Sequence, residues 1–198
     1  MSGSMFVISG PSGVGKSTVL KEVLKQNPNL HFSISATTRP IRPTETDGVN
    51  YYFVSKEEFQ NMIDNDELLE YAEYVGNFYG TPVVPLDEAI AGGQDVLLDI
   101  EVQGGMNARR LRPEAVLIFL AAPSFHVLEN RLRSRGDTAP ELVEKRLQQA
   151  RWEYSQAPQY DYVVVNDDVE HAAQEILSIL AAEKCRTKKR LNYLKEEL

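Results

Sequence analysis

The chain has 198 residues, 42% apolar and 25% charged, with 21 Lys and Arg against 29 Asp and Glu for a net charge of −8. That length supports a substantial core in one domain or a domain with insertions, and the acidic balance argues against nucleic acid as the main partner. The single cysteine, Cys185, excludes an internal disulfide and points to a reducing compartment; no run of 18 apolar residues predicts a membrane span, and no signal peptide is read at the N-terminus, so the expected location is the cytoplasm.

The first predicted element is a short apolar strand, Met5–Ser9. It runs into Gly10-Pro11-Ser12-Gly13-Val14-Gly15-Lys16-Ser17, which fits G-x-x-x-x-G-K-[ST], and then into a helix from Ser17 to Lys25 with Val19, Leu20, Val23 and Leu24 on one side. Glycine allows the sharp turns with positive φ that aim backbone N–H groups at phosphate oxygens, and the helix N-terminus adds partial positive charge. In such a loop Lys16 reaches the β- and γ-phosphates and the Ser17 hydroxyl ligates Mg²⁺. Further strands are predicted at Leu30–Ser35, Val96–Ile100, Ala115–Leu120 and Tyr162–Val165, alternating with helical stretches, which predicts an α/β fold with a mostly parallel sheet covered by helices. The third of these five strands carries Asp99 near its C-terminal end, where open α/β sheets bind ligands.

Two stretches interrupt the alternation. The first begins with the loop Ala36 to Pro43, which contains Arg39 and Arg42, and continues through the strand-like Tyr51–Val54. Ser55 and Glu58 then form a capping box, with Val54 and Phe59 as a hydrophobic staple. Glu70–Val75 and Phe78–Thr81 flank Gly76-Asn77, a two-residue hairpin signal that predicts pairing of Val75 with Phe78, Tyr74 with Tyr79 and Ala72 with Thr81. Alternation then puts Glu70, Ala72, Tyr74, Tyr79 and Thr81 on one face, either the wall of a polar ligand site or a solvated sheet face. The second interruption is a pair of helices joined around Ser134-Arg135-Gly136-Asp137. Arg131 and Arg135 share a helical face, Gly136 is a natural C-cap, and Thr138 with Glu141 fits a capping box for the helix carrying Arg146 and Arg151. Arginines there suit a lid over transferring phosphates, whereas Arg133 and Arg151 read as solvated charges and His31, His126 and His171 as structural or exposed. Residues from Val169 to Leu198 read as one long helix, whose Leu191 and Leu194 suit either a contact between subunits or an exposed amphipathic tail.

Along nearly its whole length the chain resembles guanylate kinase. The matching segments are Ser9–Thr18, Ser35–Arg42, Gly48–Val54, Gly76–Thr81, Leu98–Gly104, Arg131–Gly136 and Val165–Asp168. The resemblance implies ATP-dependent phosphorylation of GMP, and of dGMP, to the diphosphate, a step in guanine nucleotide supply. It implies a P-loop NTPase core (residues 1–35, 95–123 and 158–198), an inserted α+β GMP-binding domain (36–94) and a helical lid (124–157). It assigns ATP to Gly10, Pro11, Ser12, Gly13, Val14, Gly15, Lys16, Ser17, Thr18, Arg131 and Arg135, with Asn166 and Asp167 near the adenine. Ser35, Arg39, Arg42, Tyr51 and Tyr79 are assigned to the GMP phosphate or its surroundings, Glu70, Thr81 and Glu101 to the guanine, and Ser17 and Asp99 to Mg²⁺. Lys16, Arg42, Arg135 and Arg146 are the expected catalytic cations.

Elementary chemistry agrees with those roles. Forked guanidinium donors match phosphate oxygens. A carboxylate accepts both the N1–H and N2–H₂ donors of guanine but faces a lone pair on adenine. Many relatives have Asp where this chain has Glu101, and serine where it has Thr81; both changes keep the functional group. Two rivals remain on sequence. A guanylate-kinase-like phosphopeptide-binding module typically has a degraded phosphate loop, whereas Lys16 and Ser17 are intact here; a kinase for another nucleoside monophosphate is disfavoured by Glu70 with Glu101. The expected partners are small molecules, without nucleic acid or membrane, on a monomer or a homo-oligomer joined through the C-terminal helix.

Overall fold

The computed structural model describes residues 2–74, 76–134 and 140–195. In chain order its first elements are β1 (Met5–Ser9), α1 (Lys16–Gln26), β2 (His31–Phe32), β3 (Ala36–Thr37), β4 (Tyr52–Phe53), α2 (Lys56–Asp64), β5 (Leu68–Tyr74), β6 (Asn77–Pro82) and α3 (Val83–Ala91). Then follow β7 (Val96–Asp99), α4 (Val102–Leu111), β8 (Val116–Ala121), α5 (Phe125–Arg133), α6 (Pro140–Gln156), β9 (Tyr162–Val165), α7 (Val169–Lys184) and α8 (Thr187–Lys195). The chain divides into two compact units, one of Met1–Ile8 with Asn29–Leu117, the other of Ser9–Pro28 with Ile118–Leu198.

In the first unit β7 pairs in parallel with β1 on one side (Met5 opposite Val96, Ile8 opposite Asp99) and with β2 on the other (His31 opposite Val96). Every residue of β1 is buried, as are Val96, Leu97 and Leu98. Such unbroken apolar strands are what parallel sheets covered on both faces require. The same unit holds a four-stranded sheet, β4-β3-β6-β5, whose β3–β6 and β5–β6 pairs are antiparallel. The helix α2 beside it starts on the expected capping box: the Glu58 N–H donates to Ser55 Oγ at 3.1 Å, and the Ser55 N–H donates to Glu58 Oε2 at 2.7 Å. In the second unit the fully buried β8 pairs in parallel with β9, from Ile118 opposite Tyr162 to Ala121 opposite Val165, and α1 packs against α7. The Asp168 carboxylate caps α7 by accepting the His171 N–H at 2.9 Å. The fold is α/β with parallel core strands flanked by helices, and among the described residues no helix is long and apolar enough to cross a membrane.

Three sequence expectations need correction. The first strand after α1 is shorter than Leu30–Ser35, because only His31 and Phe32 pair with β7 before the chain leaves for β3. The hairpin register is displaced by two residues: Ala72 lies opposite Tyr79, Glu73 opposite Phe78 and Tyr74 opposite Asn77. Gly76, at φ 74°, supplies the positive φ of the turn, whereas Asn77 does not adopt one and already belongs to the strand. The C-terminal region forms two helices, α7 and α8, separated at Cys185 and Arg186. There the Cys185 N–H tightens onto Ala182 O at 2.9 Å. Arg186 folds back so that its Nε donates to the buried Glu183 carboxylate at 2.9 Å, which also accepts the Tyr162 hydroxyl at 2.6 Å. That hydrogen bond to Glu183 raises the Tyr162 pKa.

Phe59 ties α2 to the hairpin. It is fully buried, stacks on Phe78 with ring centroids 5.5 Å apart, and meets Tyr71 edge-on at 6.5 Å. Replacing it with alanine removes those contacts and leaves a cavity, so Phe59→Ala is expected to cost about 3–5 kcal/mol in urea denaturation, with Phe59→Leu well below that.

Candidate functional site

The second unit carries the phosphate loop. Gly10 leaves β1 so close to β8 that a Cβ on it would stand 2.3 Å from Leu120 O, closer than any real side chain tolerates. The Val14 N–H closes a turn onto Pro11 O at 3.2 Å, and Gly15 caps α1 in the left-handed conformation at φ 91°. The N–H groups of Thr18 and Val19 bond back to Gly15 O, so Lys16 and Ser17 occupy the start of the helix, where backbone donors lack intrahelical acceptors. Ser17 and Thr18 are exposed and Lys16 is half-buried. The loop presents backbone donors, one lysine and two hydroxyls together, a set whose chemistry suits an anion.

Two residues assigned by resemblance to ATP reach this loop from the same unit. Asn166, just past β9, donates from Nδ2 to Val14 O at 2.7 Å. Arg131, on α5, donates to Val14 O at 3.3 Å and to Asn166 O at 3.2 Å. Asp167 is exposed and engaged locally: its carboxylate accepts the Asp168 N–H at 2.7 Å, which lowers its pKa, and lies 3.4 Å from His171 Nδ1. Arg146 is half-buried on α6, between the inward-facing Val143, Leu147 and Ala150. Arg135, Gly136 and Thr138 lie outside the described residues. Arg133 pairs with Glu129 at 2.7 Å on the surface, and Arg151 lies 4.4 Å over the Phe125 ring.

The first unit carries a second polar cluster. Arg39 grips Glu45 with both ends of its fork, Nη1 to Oε2 at 3.0 Å and Nη2 to Oε1 at 2.7 Å, and also donates to Pro40 O at 2.8 Å. Both side chains of this pair are only 13% exposed. The guanidinium lies 5.5 Å over Tyr51 and 5.6 Å over Phe53, and Tyr51 meets Tyr79 edge-on at 6.0 Å. Glu45 raises the Arg39 pKa and is itself held below the ordinary carboxylate range by Arg39; burial pushes the Tyr51 phenol up. The Arg42 N–H also donates to Glu45, at 2.9 Å, while its side chain is exposed. Ser35 stands just before β3, its carbonyl accepting the Tyr52 N–H at 2.9 Å.

Beside that cluster Thr81, 1% exposed, donates its hydroxyl to Glu70 Oε1 at 2.6 Å. The other oxygen of Glu70 lies over the first turn of α4: a Cβ on Gly104 would come within 2.7 Å of it. Glu101 is the exposed N-cap residue of α4, and Asp99 is half-buried at the end of β7. The structure therefore joins Glu70 to Thr81, and Arg39 to Tyr51, Phe53 and Glu45. Glu45 was missed on sequence, although it follows Arg39 and Arg42 within the same short loop and is the nearest carboxylate to either.

The linkage of the Arg39–Glu45 pair has a definite sign. A carboxyl whose folded pKa is depressed contributes stability that is fully present above its unfolded value and is lost as pH falls through the folded one. Glu45→Gln is therefore expected to flatten the acid limb of stability from roughly pH 5 downward, measured as denaturation midpoint against pH. An unchanged limb would show that the pair contributes nothing to acid sensitivity.

A phosphate loop together with a second cluster of guanidinium, phenol and carboxylate groups defines a nucleotide kinase of the phosphate-loop class. The guanylate kinase family model matches residues 2–183. A guanylate kinase of Thermus thermophilus is 53% identical over 187 residues, covering 94% of this chain and 84% of the relative. That of Desulfitobacterium hafniense is 49% identical over 188 residues, covering 95% and 94%. The crystal structure of guanylate kinase from Anaplasma phagocytophilum superposes with a TM-score of 0.78 at 37% identity, covering 98% of this chain and 94% of that one. The chain belongs to the guanylate kinase family. Its activity is phosphorylation of GMP, and these relatives lend no support to a non-catalytic binding role.

Proposed function

We propose that the phosphate loop holds ATP while the Arg39–Tyr51–Tyr79 cluster and the Glu70–Thr81 pair hold GMP, with direct in-line transfer of the γ-phosphoryl group between them. The observation that carries the guanine assignment is the 2.6 Å bond from Thr81 to Glu70. It orders the carboxylate beside the start of α4, and a carboxylate is the group that accepts the paired N1–H and N2–H₂ donors that guanine alone among the common bases presents. Glu101, at the N-cap of α4, supplies a second carboxylate. In this reading Ser35, Arg39, Arg42, Tyr51 and Tyr79 hold the GMP phosphate, which carries nearly two negative charges at neutral pH and needs no general base.

The task left to the protein is positioning and charge compensation. Lys16, Arg42, Arg135 and Arg146 supply the cations, and the backbone donors at the start of α1 hold the ATP phosphates. Mg²⁺, when bound, neutralises and orients the transferring phosphates. Ser17 and Asp99 fit it by donor chemistry, since both offer hard oxygen ligands of the kind that ion takes alongside substrate phosphates. Water must be excluded from the transferring phosphate, since it otherwise competes as acceptor. The proposed setting is the cytoplasm.

A coupled ADP-release assay with GMP, dGMP, AMP and UMP tests the reading: turnover with the two guanine nucleotides and little with the others is expected. Glu70→Gln replaces an acceptor with a donor facing guanine and should lower kcat/KM for GMP on the order of 10⁴-fold while leaving ATP binding unchanged. Arg146→Ala should lower kcat by about 10³-fold or more at near-normal thermal stability; near-normal turnover would remove Arg146 from the catalytic set.

A further inference from the structure

We infer that Asn166 is a positioning residue for the phosphate loop, acting on the phosphates through the Val14–Gly15 peptide, and is not a reader of the adenine base. This deepens the assignment of Gly10–Ser17 as the triphosphate site and rests on it. Asn166 is 4% exposed, and its Nδ2 is held on Val14 O at 2.7 Å inside the protein. A side chain that reads a base must offer its edge to solvent before the base arrives, and Asn166 offers almost none.

The peptide geometry says what this contact does. All described peptide bonds are trans, so the Val14 carbonyl and the Gly15 N–H point in opposite directions across one plane. With the carbonyl fixed toward Asn166 and Arg131, the Gly15 N–H is fixed away from them. Gly15 then turns with φ 91° to begin α1 at Lys16. A Cβ on Gly15 would stand 2.6 Å from the Asn166 amide nitrogen, so the space that a side chain would need is where the amide sits. Asn166 is itself fixed at three other points: its N–H donates to Ala121 O at 2.8 Å, its carbonyl accepts Arg131 at 3.2 Å, and the residues after it start α7 on the Asp168 cap. The amide therefore reaches the loop from the end of β9, a rigid support, and sets the direction of a backbone donor that any nucleoside triphosphate would meet.

Inorganic tripolyphosphate, which has phosphates and no base, separates the two roles. Asn166→Ala, and the same-sized Asn166→Asp that places an oxygen against the Val14 carbonyl, should weaken ATP and tripolyphosphate by the same factor, about tenfold to a hundredfold by calorimetry. GMP affinity measured on the same samples should stay at the unsubstituted value, which shows that the variant is folded. Weakened ATP with unchanged tripolyphosphate would make Asn166 a base reader and overturn the proposal, as would no change in either. If neither variant folds, the unsubstituted protein decides by NMR: side-chain amide protons of Asn166 exchanging far more slowly than those of free asparagine, and slower still with tripolyphosphate, support the role, and free exchange overturns it. Failure of the unsubstituted protein to bind tripolyphosphate would strike the phosphate-loop assignment itself.

Discussion

Negative charge must be gathered onto a chain that is itself negative. With a net charge of −8 the protein cannot attract nucleotides through its overall field, so every anion must be met by local donors. The two proposed sites would meet this in different ways. In the phosphate loop the donors are mostly backbone, and a backbone N–H carries no counter-ion and cannot titrate. In the first unit the donors are side chains, and an arginine cluster without its ligand would repel itself and attract stray anions. Glu45 answers that: its carboxylate fills the Arg39 fork with the same planar, two-oxygen geometry that a phosphate edge presents.

Carboxylates recur as partners that hold a functional group in place. Glu45 holds Arg39 over the Tyr51 and Phe53 rings, so the guanidinium is ordered by neighbours of its own chain. Glu70 is ordered by Thr81, and Glu183 is ordered by Tyr162 and Arg186 at the break between α7 and α8. In each case a buried or half-buried oxygen is satisfied by a hydroxyl or guanidinium, from another element for Glu70 and Glu183 and from the same loop for Glu45, which avoids the penalty of an unpaired buried charge. Ordering of this kind reduces what ligand binding must spend on side-chain entropy.

Much of this was legible in the sequence because it depends on local rules. The Gly10–Ser17 loop, the Ser55–Glu58 box and the unbroken apolar strands β1 and β8 follow from backbone freedom, capping and burial, all readable over a few residues. What was not legible depends on partners distant in sequence. The helix break at Cys185 and Arg186 follows directly on Glu183, whose carboxylate meets Tyr162, 21 residues away, and no Gly or Pro marks it in the sequence. The contact of Asn166 with Val14 spans 152 residues, and an Asn-Asp-Asp run after a strand signals only a turn and a cap. Glu45 was visible in the loop, but only the folded turn, in which its N–H returns to Arg42 O at 3.0 Å, brings it onto Arg39.

The hairpin shows which kind of error a site tolerates. The predicted register was displaced by two residues, yet Glu70 and Thr81 still meet. Side chains alternate with a period of two, so a two-residue slip exchanges partners and preserves faces, whereas a one-residue slip would have inverted the whole wall. The pairing is in fact irregular between Leu68 and Tyr71, where Leu68 faces Pro82 and Tyr71 faces Gly80. One extra residue on β5 is accommodated there, and Leu69 and Glu70 together oppose Thr81. Leu69 is buried in the core, and Glu70 is left to turn its carboxylate onto the Thr81 hydroxyl and the start of α4. A regular ladder would give Thr81 a single cross-strand neighbour; the bulge gives it two, one anchoring the strand in the core and one accepting its hydroxyl.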